Sequence, residues 1–463
     1  MTPSQLAEPP ITSHSDPQLP TAPVLPTATA SAITTVSDAR HQRLGVDLSQ
    51  YPSVTTRETF SPLEATQDRG LAWPIAKSFA AKLMGKTPNP IMLTHIVTTR
   101  CNYSCGFCSF ADTLNAKTDE LSLEEITATY KTIGQSLNTI VYSGGETTLH
   151  KHLPEFIEAA YTLTPVKSVY IISNAWKPER LFQITHQVMQ RCPGLHLTWS
   201  LSIEGPKPIN NAQRYTKANT WDAWQNTIDT MEGLKAMRER FGYSELNVQL
   251  CTVCSPDNAH VMDDWYAMVR DELQPDKWNL NLMRKSVQMS DSALPSFGER
   301  RQHKTFEPFE QTYLRITEQV RQDVLAGRLK FRYHTEIPLD GGMKSAVDLL
   351  SQEQNRATML ETPDLFPCQA GLVGAYIGSD GTVAGCEEFA NNTRNPKHYG
   401  NLRDVNYDFQ ALWHSAVATQ NRCKTGKASE CRGCTLESQR NYPSILVSIP
   451  TLARAVAMAP KIS

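Results

Sequence analysis

Six short apolar runs, with helical periodicity between them, constrain the fold of this chain more than any other feature. "IMLTHIV" (91 to 97), "TIVYS" (139 to 143), "SVYIIS" (168 to 173), "LHLTWSLSI" (195 to 203), "LNVQLCTV" (246 to 253) and "WNLNLM" (278 to 283) read as strands. Helical runs lie between them, among them "SLEEITATYKTIGQSL" (122 to 137), "LPEFIEAAYTL" (153 to 163) and "WDAWQNTIDTMEGLKAMRERF" (221 to 241). Consecutive strands joined through helices pair in parallel by right-handed crossovers. The expected class is therefore α/β, a partial (β/α)6 TIM-like barrel. Functional groups in such a barrel gather at the carboxyl ends of the strands.

The flanks divide the chain. Residues 1–60 are rich in Pro, Ser, Thr and Ala, bury too little apolar surface to offset ordering entropy, and read as a disordered tail. A lead-in segment follows at 61–87, then the barrel at 88–300, and a connecting helix ("EPFEQTYLRITEQVRQDVLAG", 307 to 327) with a linker over 301–360. Residues 361–440 hold five of the eleven cysteines with little apolar periodicity, as a small unit stapled by metal would. The apolar end, 441–463, carries Pro450 and Arg454; it reads as a cover for the open side of the barrel rather than as a membrane contact.

With 45 basic and 47 acidic side chains the net charge is -2, which gives no electrostatic reason to expect nucleic acid as a partner. No signal-peptide pattern and no long apolar run stand in the sequence, so the expected location is the cytoplasm, where eleven cysteines are metal ligands, redox groups or core residues rather than disulfides.

Three of those cysteines, Cys101, Cys105 and Cys108, sit in "TTRCNYSCGFCSF", just after the first strand. Zinc sites usually pair two C-x-x-C elements, and His95 lies on the strand rather than in the loop. A cubane iron-sulfur cluster with one open iron fits three thiolates better. The spacing C-x-x-x-C-x-aromatic-C, with Phe107 as the aromatic, resembles the radical S-adenosylmethionine (SAM) enzymes. That resemblance implies that SAM chelates the open iron, is cleaved by one electron to methionine and a 5'-deoxyadenosyl radical, and that the radical takes a hydrogen atom from substrate. "YSGGETTLH" after the second strand looks like the family's GGE motif, so Gly144, Gly145 and Glu146 are expected SAM contacts. Ser173 and Asn174 end the third strand; Ser200, Ser202 and Glu204 share one face of the fourth and resemble the family's ribose and carboxylate contacts. Arg214 is a weaker candidate for a carboxylate contact.

A second set consists of Cys368, Cys386, Cys431 and Cys434, with a hairpin expected to turn at Ser379-Asp380-Gly381. By chemistry alone these thiols could form a zinc ribbon. Their C-x(12)-G-x(4)-C spacing, the "GNLRD" at 400 to 404 and the closing C-x-x-C resemble the twitch subdomain, a short form of SPASM that holds one auxiliary [4Fe-4S] cluster. Four thiolates would saturate that cluster, which points to electron transfer rather than substrate coordination. Cys423 reads as a bystander, and Cys192, Cys251 and Cys254 as packing thiols.

The resemblance implies two [4Fe-4S] clusters, SAM, and a reductant such as flavodoxin or ferredoxin. The leading function is a radical SAM oxidoreductase that oxidises a small molecule through the auxiliary cluster. A ribosomal-peptide maturase that cross-links or epimerises is the alternative, a molybdopterin-type cyclase ranks third, and a zinc-stabilised binding protein without catalysis is remote.

Overall fold

The strands assemble in the order that their alternation with helices demands. In the computed structural model, β1 (Met92–Thr98), β2 (Thr139–Gly144), β3 (Ser168–Ser173), β4 (His196–Ser202), β5 (Leu246–Cys254) and β6 (Lys277–Leu282) are consecutive, parallel neighbours. The residues described are 51, 72–111, 113–216, 221–284, 306–332, 341–360, 362–391, 396–428, 431, 434–436 and 440–461. All belong to one unit, Val46–Ser463. The tail expected over 1–60 lies outside them except for Tyr51, whose ring packs 5.2 Å from His186.

Helices α1 (Ala72–Leu83), α2 (Leu123–Thr132), α3 (Leu153–Leu163), α4 (Pro178–Arg191), α5 (Ala223–Phe241) and α6 (Met262–Met268) precede or link the strands. Helix α2 opens on a capping box, in which the Glu125 N–H donates to Ser122 Oγ at 3.2 Å and the Ser122 N–H to Glu125 Oε2 at 2.8 Å. It stops before the expected 137 because Gly134 takes a φ of +99°, a turn that breaks the helix.

The auxiliary segment does not stand apart. β7 (Gly374–Ile377) pairs in parallel with β1, and β8 (Thr382–Ala384) and β9 (His398–Asn401) extend it in antiparallel, so the sheet runs β6-β5-β4-β3-β2-β1-β7-β8-β9. The "GNLRD" stretch locks this extension to the barrel. Arg403 donates to both carboxylate oxygens of Glu125, at 2.9 and 3.0 Å, and the Tyr407 hydroxyl adds a third bond at 2.6 Å. Those bonds, Arg403 first, hold the Glu125 carboxyl at about 2, below its ordinary 4.5.

Within 301–360 the connecting helix is present as α7 (Pro308–Leu325), but part of the expected linker is a second helix, α8 (Gly341–Leu360). Its apolar period is interrupted because Ser351, Gln354 and Asn355 face the interior. They are satisfied there: Asn441 Nδ2 donates to Ser351 Oγ at 3.0 Å and to Asn355 Oδ1 at 2.8 Å, and Asn355 Nδ2 donates to the Tyr313 hydroxyl at 3.2 Å.

The C-terminal segment forms α9 (Tyr442–Leu446) and α10 (Ile449–Met458) against α8. Leu446 and Val447 pack on Ile91 and Met92 at the start of β1, while Tyr442 reaches Lys277 at the start of β6. It thus bridges the gap between the first and sixth strands. No described helix is long and apolar enough to cross a membrane.

Candidate functional site

Inside the barrel the strand faces are unequal. Barrel interiors are usually filled by branched apolar side chains. Here β4 turns Thr198, Ser200 and Ser202 inward, β5 turns Asn247, Gln249 and Cys251, and β6 turns Lys277, Asn279 and Asn281. A cavity of about 470 Å³ is left, running from the starts of the strands to the cysteine loop.

Cys101, Cys105 and Cys108 stand together at its upper end, partly buried on the loop after β1. The loop is held from several sides. Asn115 accepts from the Cys101 N–H at 3.0 Å and donates to the Cys101 carbonyl at 3.1 Å, and the Ser104 N–H donates to the Tyr215 carbonyl at 2.9 Å. Burial pushes the Cys101 thiol up to about 12 and the Cys105 thiol to about 11. Iron binding must therefore displace protons, and the positive charge of the metal supplies what burial opposes.

The GGE motif abuts this loop. The Gly145 N–H donates to the Thr98 carbonyl at 2.8 Å and the Glu146 N–H to the Arg100 carbonyl at 2.7 Å. A Cβ on Gly144 would lie 2.3 Å from the Thr98 oxygen, and one on Gly145 would lie 2.2 Å from the Arg100 oxygen. The close approach that demands glycine is thus between two loop backbones, while both glycines also line the cavity.

The two expected acidic contacts point into the protein rather than the cavity. Glu146 is fully buried; its Oε1 accepts from the Thr148 N–H at 3.0 Å, Thr148 Oγ1 at 2.5 Å and Ser173 Oγ at 2.8 Å, and its Oε2 from the Asn174 N–H at 2.7 Å. It joins the ends of β2 and β3 and presents Ser173 and Asn174 to the cavity. Burial raises its carboxyl, opposed by these donors.

Glu204 is likewise buried. Its Oε1 accepts from Arg214 Nε at 2.9 Å and Nη2 at 2.6 Å, and its Oε2 from the Val253 N–H at 2.7 Å. The Arg214 guanidinium then lies 5.4 Å from the centre of the Phe107 ring, with Nη1 4.0 Å from Cys105 Sγ. Sequence reasoning did not anticipate this ion pair behind the cysteine loop, because its partners are ten residues apart across a strand end. Phe107, Ser200 and Ser202 line the cavity with Arg214.

Cys368, Cys386 and Cys431 share a small apolar cluster with Ala370, Phe389 and Ala428. Cys434 raises the Cys386 thiol electrostatically, and Cys368 raises both. Burial pushes Cys368 up to about 11 and Cys434 to about 12. Cys423 is exposed, Cys192 and Cys254 are buried, and Cys251 lines the cavity, where Asn281 Nδ2 donates to its sulfur at 3.1 Å. Arg284, after β6, donates to Glu388 at 2.7 Å and to Glu387 at 3.2 Å, both of which follow Cys386. Glu387, Thr435 and Leu436 line the same cavity as Cys101, Cys105 and Cys108.

Each thiolate of a cubane binds its own iron, so cluster ligands need not converge on one point. Among the described residues no three His, Cys, Asp or Glu side chains gather around a single ion position. The donor chemistry fits: soft thiols, partly or fully buried, in two sets, one of three and one of four.

Comparison with known proteins defines the class. A family model for the Radical SAM superfamily matches residues 95–238, and one for the SPASM iron-sulfur cluster-binding domain matches 368–435. Residues 95–238 are thus a radical SAM region and 368–435 a SPASM-like C-terminal subdomain of an enzyme whose cofactors are SAM and iron-sulfur clusters. The fold is similar to native anSMEcpe with bound AdoMet, at TM-score 0.50 and 13% identity over 80% of this chain and 96% of that one. The same enzyme with bound AdoMet and Kp18Cys peptide gives TM-score 0.50 and 13% identity, covering 81% and 100%. Streptococcus suis SuiB bound to precursor peptide SuiA gives 0.48 and 14%, covering 90% and 85%. No curated protein matches the sequence.

Proposed function

We propose that this enzyme is a maturase that oxidises a peptide substrate held in the barrel cavity. The observation that carries the reading is the continuity of that cavity, which is lined by Cys101, Cys105 and Cys108 at one wall and by Glu387, Thr435 and Leu436, neighbours of the auxiliary thiols, at another. A substrate within it lies between the two thiol sets. Peptide ranks above the small molecule preferred on sequence grounds because one of the fold's likenesses is described as holding a peptide beside AdoMet.

SAM bound at a cluster supplies one-electron cleavage of its sulfonium and abstraction of a substrate hydrogen atom. The residues divide the remaining work. Cys101, Cys105 and Cys108 would hold the cluster that binds SAM. Gly144 and Gly145 supply backbone beside it, and Ser173, Asn174, Ser200 and Ser202 supply hydrogen-bonding groups. Glu146 and Glu204 act as positioning residues through Ser173, Asn174 and Arg214. Cys368, Cys386, Cys431 and Cys434 would hold the auxiliary cluster, which would supply an acceptor for the electron of the substrate radical. A flavodoxin or ferredoxin supplies the first electron.

The test is an anaerobic assay of the reconstituted enzyme for 5'-deoxyadenosine, with SAM, dithionite and peptides encoded by neighbouring genes. Wild type should release it and Cys101→Ala should not. Release from Cys101→Ala at the wild-type rate would sink the assignment.

A further inference from the structure

The deep half of the cavity has a character of its own. On one side stand the carboxamides of β5 and β6: Asn247 and Gln249 are 8% and 7% exposed, and Asn279 and Asn281 line the same wall. The Oδ1 of Asn247 is buried without a hydrogen-bond partner among the described residues. A buried carbonyl left in that state costs free energy that a ligand donor would recover. On the opposite side Met92, Val141 and Ile172 present apolar surface.

Two ion pairs close within the protein at the bottom, where Arg332 and Lys344 also line the cavity. Lys277 Nζ donates to Asp348 Oδ1 at 2.7 Å, and the Tyr442 hydroxyl donates to the same oxygen at 2.6 Å. Asp276 Oδ2 receives Arg238 Nη1 at 2.5 Å and the Val248 N–H at 2.7 Å. A carboxylate has no donor to offer the Asn247 Oδ1, whereas a neutral group with one donor and one acceptor edge would find partners for both on a carboxamide wall. An amide has those two edges and a flat apolar face for the opposite wall.

We propose that Asn247, Gln249 and Asn279 form a subsite for a neutral amide group of the substrate, an Asn or Gln side chain or a main-chain peptide unit. This rests on the peptide reading above and narrows it, making these residues determinants of specificity beneath the SAM contacts.

The test uses the reconstituted holoenzyme with SAM and ligand-observed saturation-transfer NMR. The probes are N-acetylasparagine amide, its charged isostere N-acetylaspartate amide, and inositol as a neutral polyol. The asparagine probe should bind at least tenfold more tightly than either other probe, and Asn247→Leu with wild-type iron content should weaken it at least tenfold. Equal or tighter binding of the aspartate probe overturns the proposal, as does tighter binding of inositol, or unchanged affinity in Asn247→Leu. Should that variant fail to retain iron, the comparison among probes on wild type decides. An enzyme that releases no 5'-deoxyadenosine sinks the functional reading; one that releases it but shows no amide preference sinks only the subsite.

Discussion

Replacing Arg214 by Leu removes one half of an ion pair whose other half has no exposure: the Glu204 side chain is 0% exposed and that of Arg214 10%. Two of the three hydrogen bonds to the Glu204 carboxylate disappear, and the Val253 N–H remains as donor. Breaking a buried pair from one side costs about 3–5 kcal/mol, which lowers the ratio of folded to unfolded protein by a factor of about 10² to 10⁴. Burial already raises the Glu204 carboxyl, with Arg214 opposing, so the variant raises it further. A carboxyl raised in the folded state binds more protons there than in the unfolded chain, so stability falls as pH rises from its unfolded value through its folded value. The deficit of Arg214→Leu against wild type should therefore be largest at pH 8 and shrink toward pH 5. The double variant Glu204→Leu, Arg214→Leu leaves no orphaned charge and should recover much of the loss. The assay is anaerobic urea unfolding of the reconstituted enzyme at the two pH values, followed by intrinsic fluorescence. A double variant no more stable than the single one, or a deficit that does not shrink in acid, would refute the buried-charge account.

Gly145→Ala places a Cβ 2.2 Å from a backbone oxygen and should displace the cysteine loop; iron analysis should fall from about eight irons to about four, with the auxiliary cluster retained. Glu146→Gln turns one acceptor into a donor facing donors, costs about 1–3 kcal/mol, and should weaken SAM binding in equilibrium dialysis through Ser173 and Asn174. Removing Cys431 and Cys434 together should leave 5'-deoxyadenosine formation while abolishing oxidised product; unchanged product from folded protein would contradict the electron-acceptor role. The stability that Glu125 contributes should be complete above pH 4.5 and be lost as pH falls toward about 2, and Arg403→Met should weaken that dependence in acid unfolding curves, leaving the part due to Tyr407 and Ser122.

What could be read from sequence rests on short-range regularity. Alternation of apolar strands with helices specifies parallel crossovers wherever the two periods are clear, so β1 to β6 fall within two residues of the expected runs. The spacing of Cys101, Cys105 and Cys108 lies within a single loop, so it is legible without the fold. Even the polar wall was present in "LNVQLCTV" and "WNLNLM", where Asn247, Gln249, Asn279 and Asn281 occupy alternate positions; which strand face was inner became clear only in the barrel.

Helix α8 escaped because Ser351, Gln354 and Asn355, satisfied by partners as distant as Asn441, interrupt the inward apolar set that Met343, Ala346, Val347 and Leu350 begin. Likewise, Glu146 and Glu204 read as contacts for SAM from their positions after strands, but tertiary structure surrounds each carboxylate with donors and leaves the cavity to its neighbours. The bond of Arg403 to Glu125 spans 278 residues, and the pairing of β7 with β1 joins segments slightly farther apart. Local pattern determined the elements and the spacing of the cysteines. Burial and long-range hydrogen bonding decided which polar groups the protein consumes itself and which it offers to a substrate, because that division depends on what lies opposite each side chain in space.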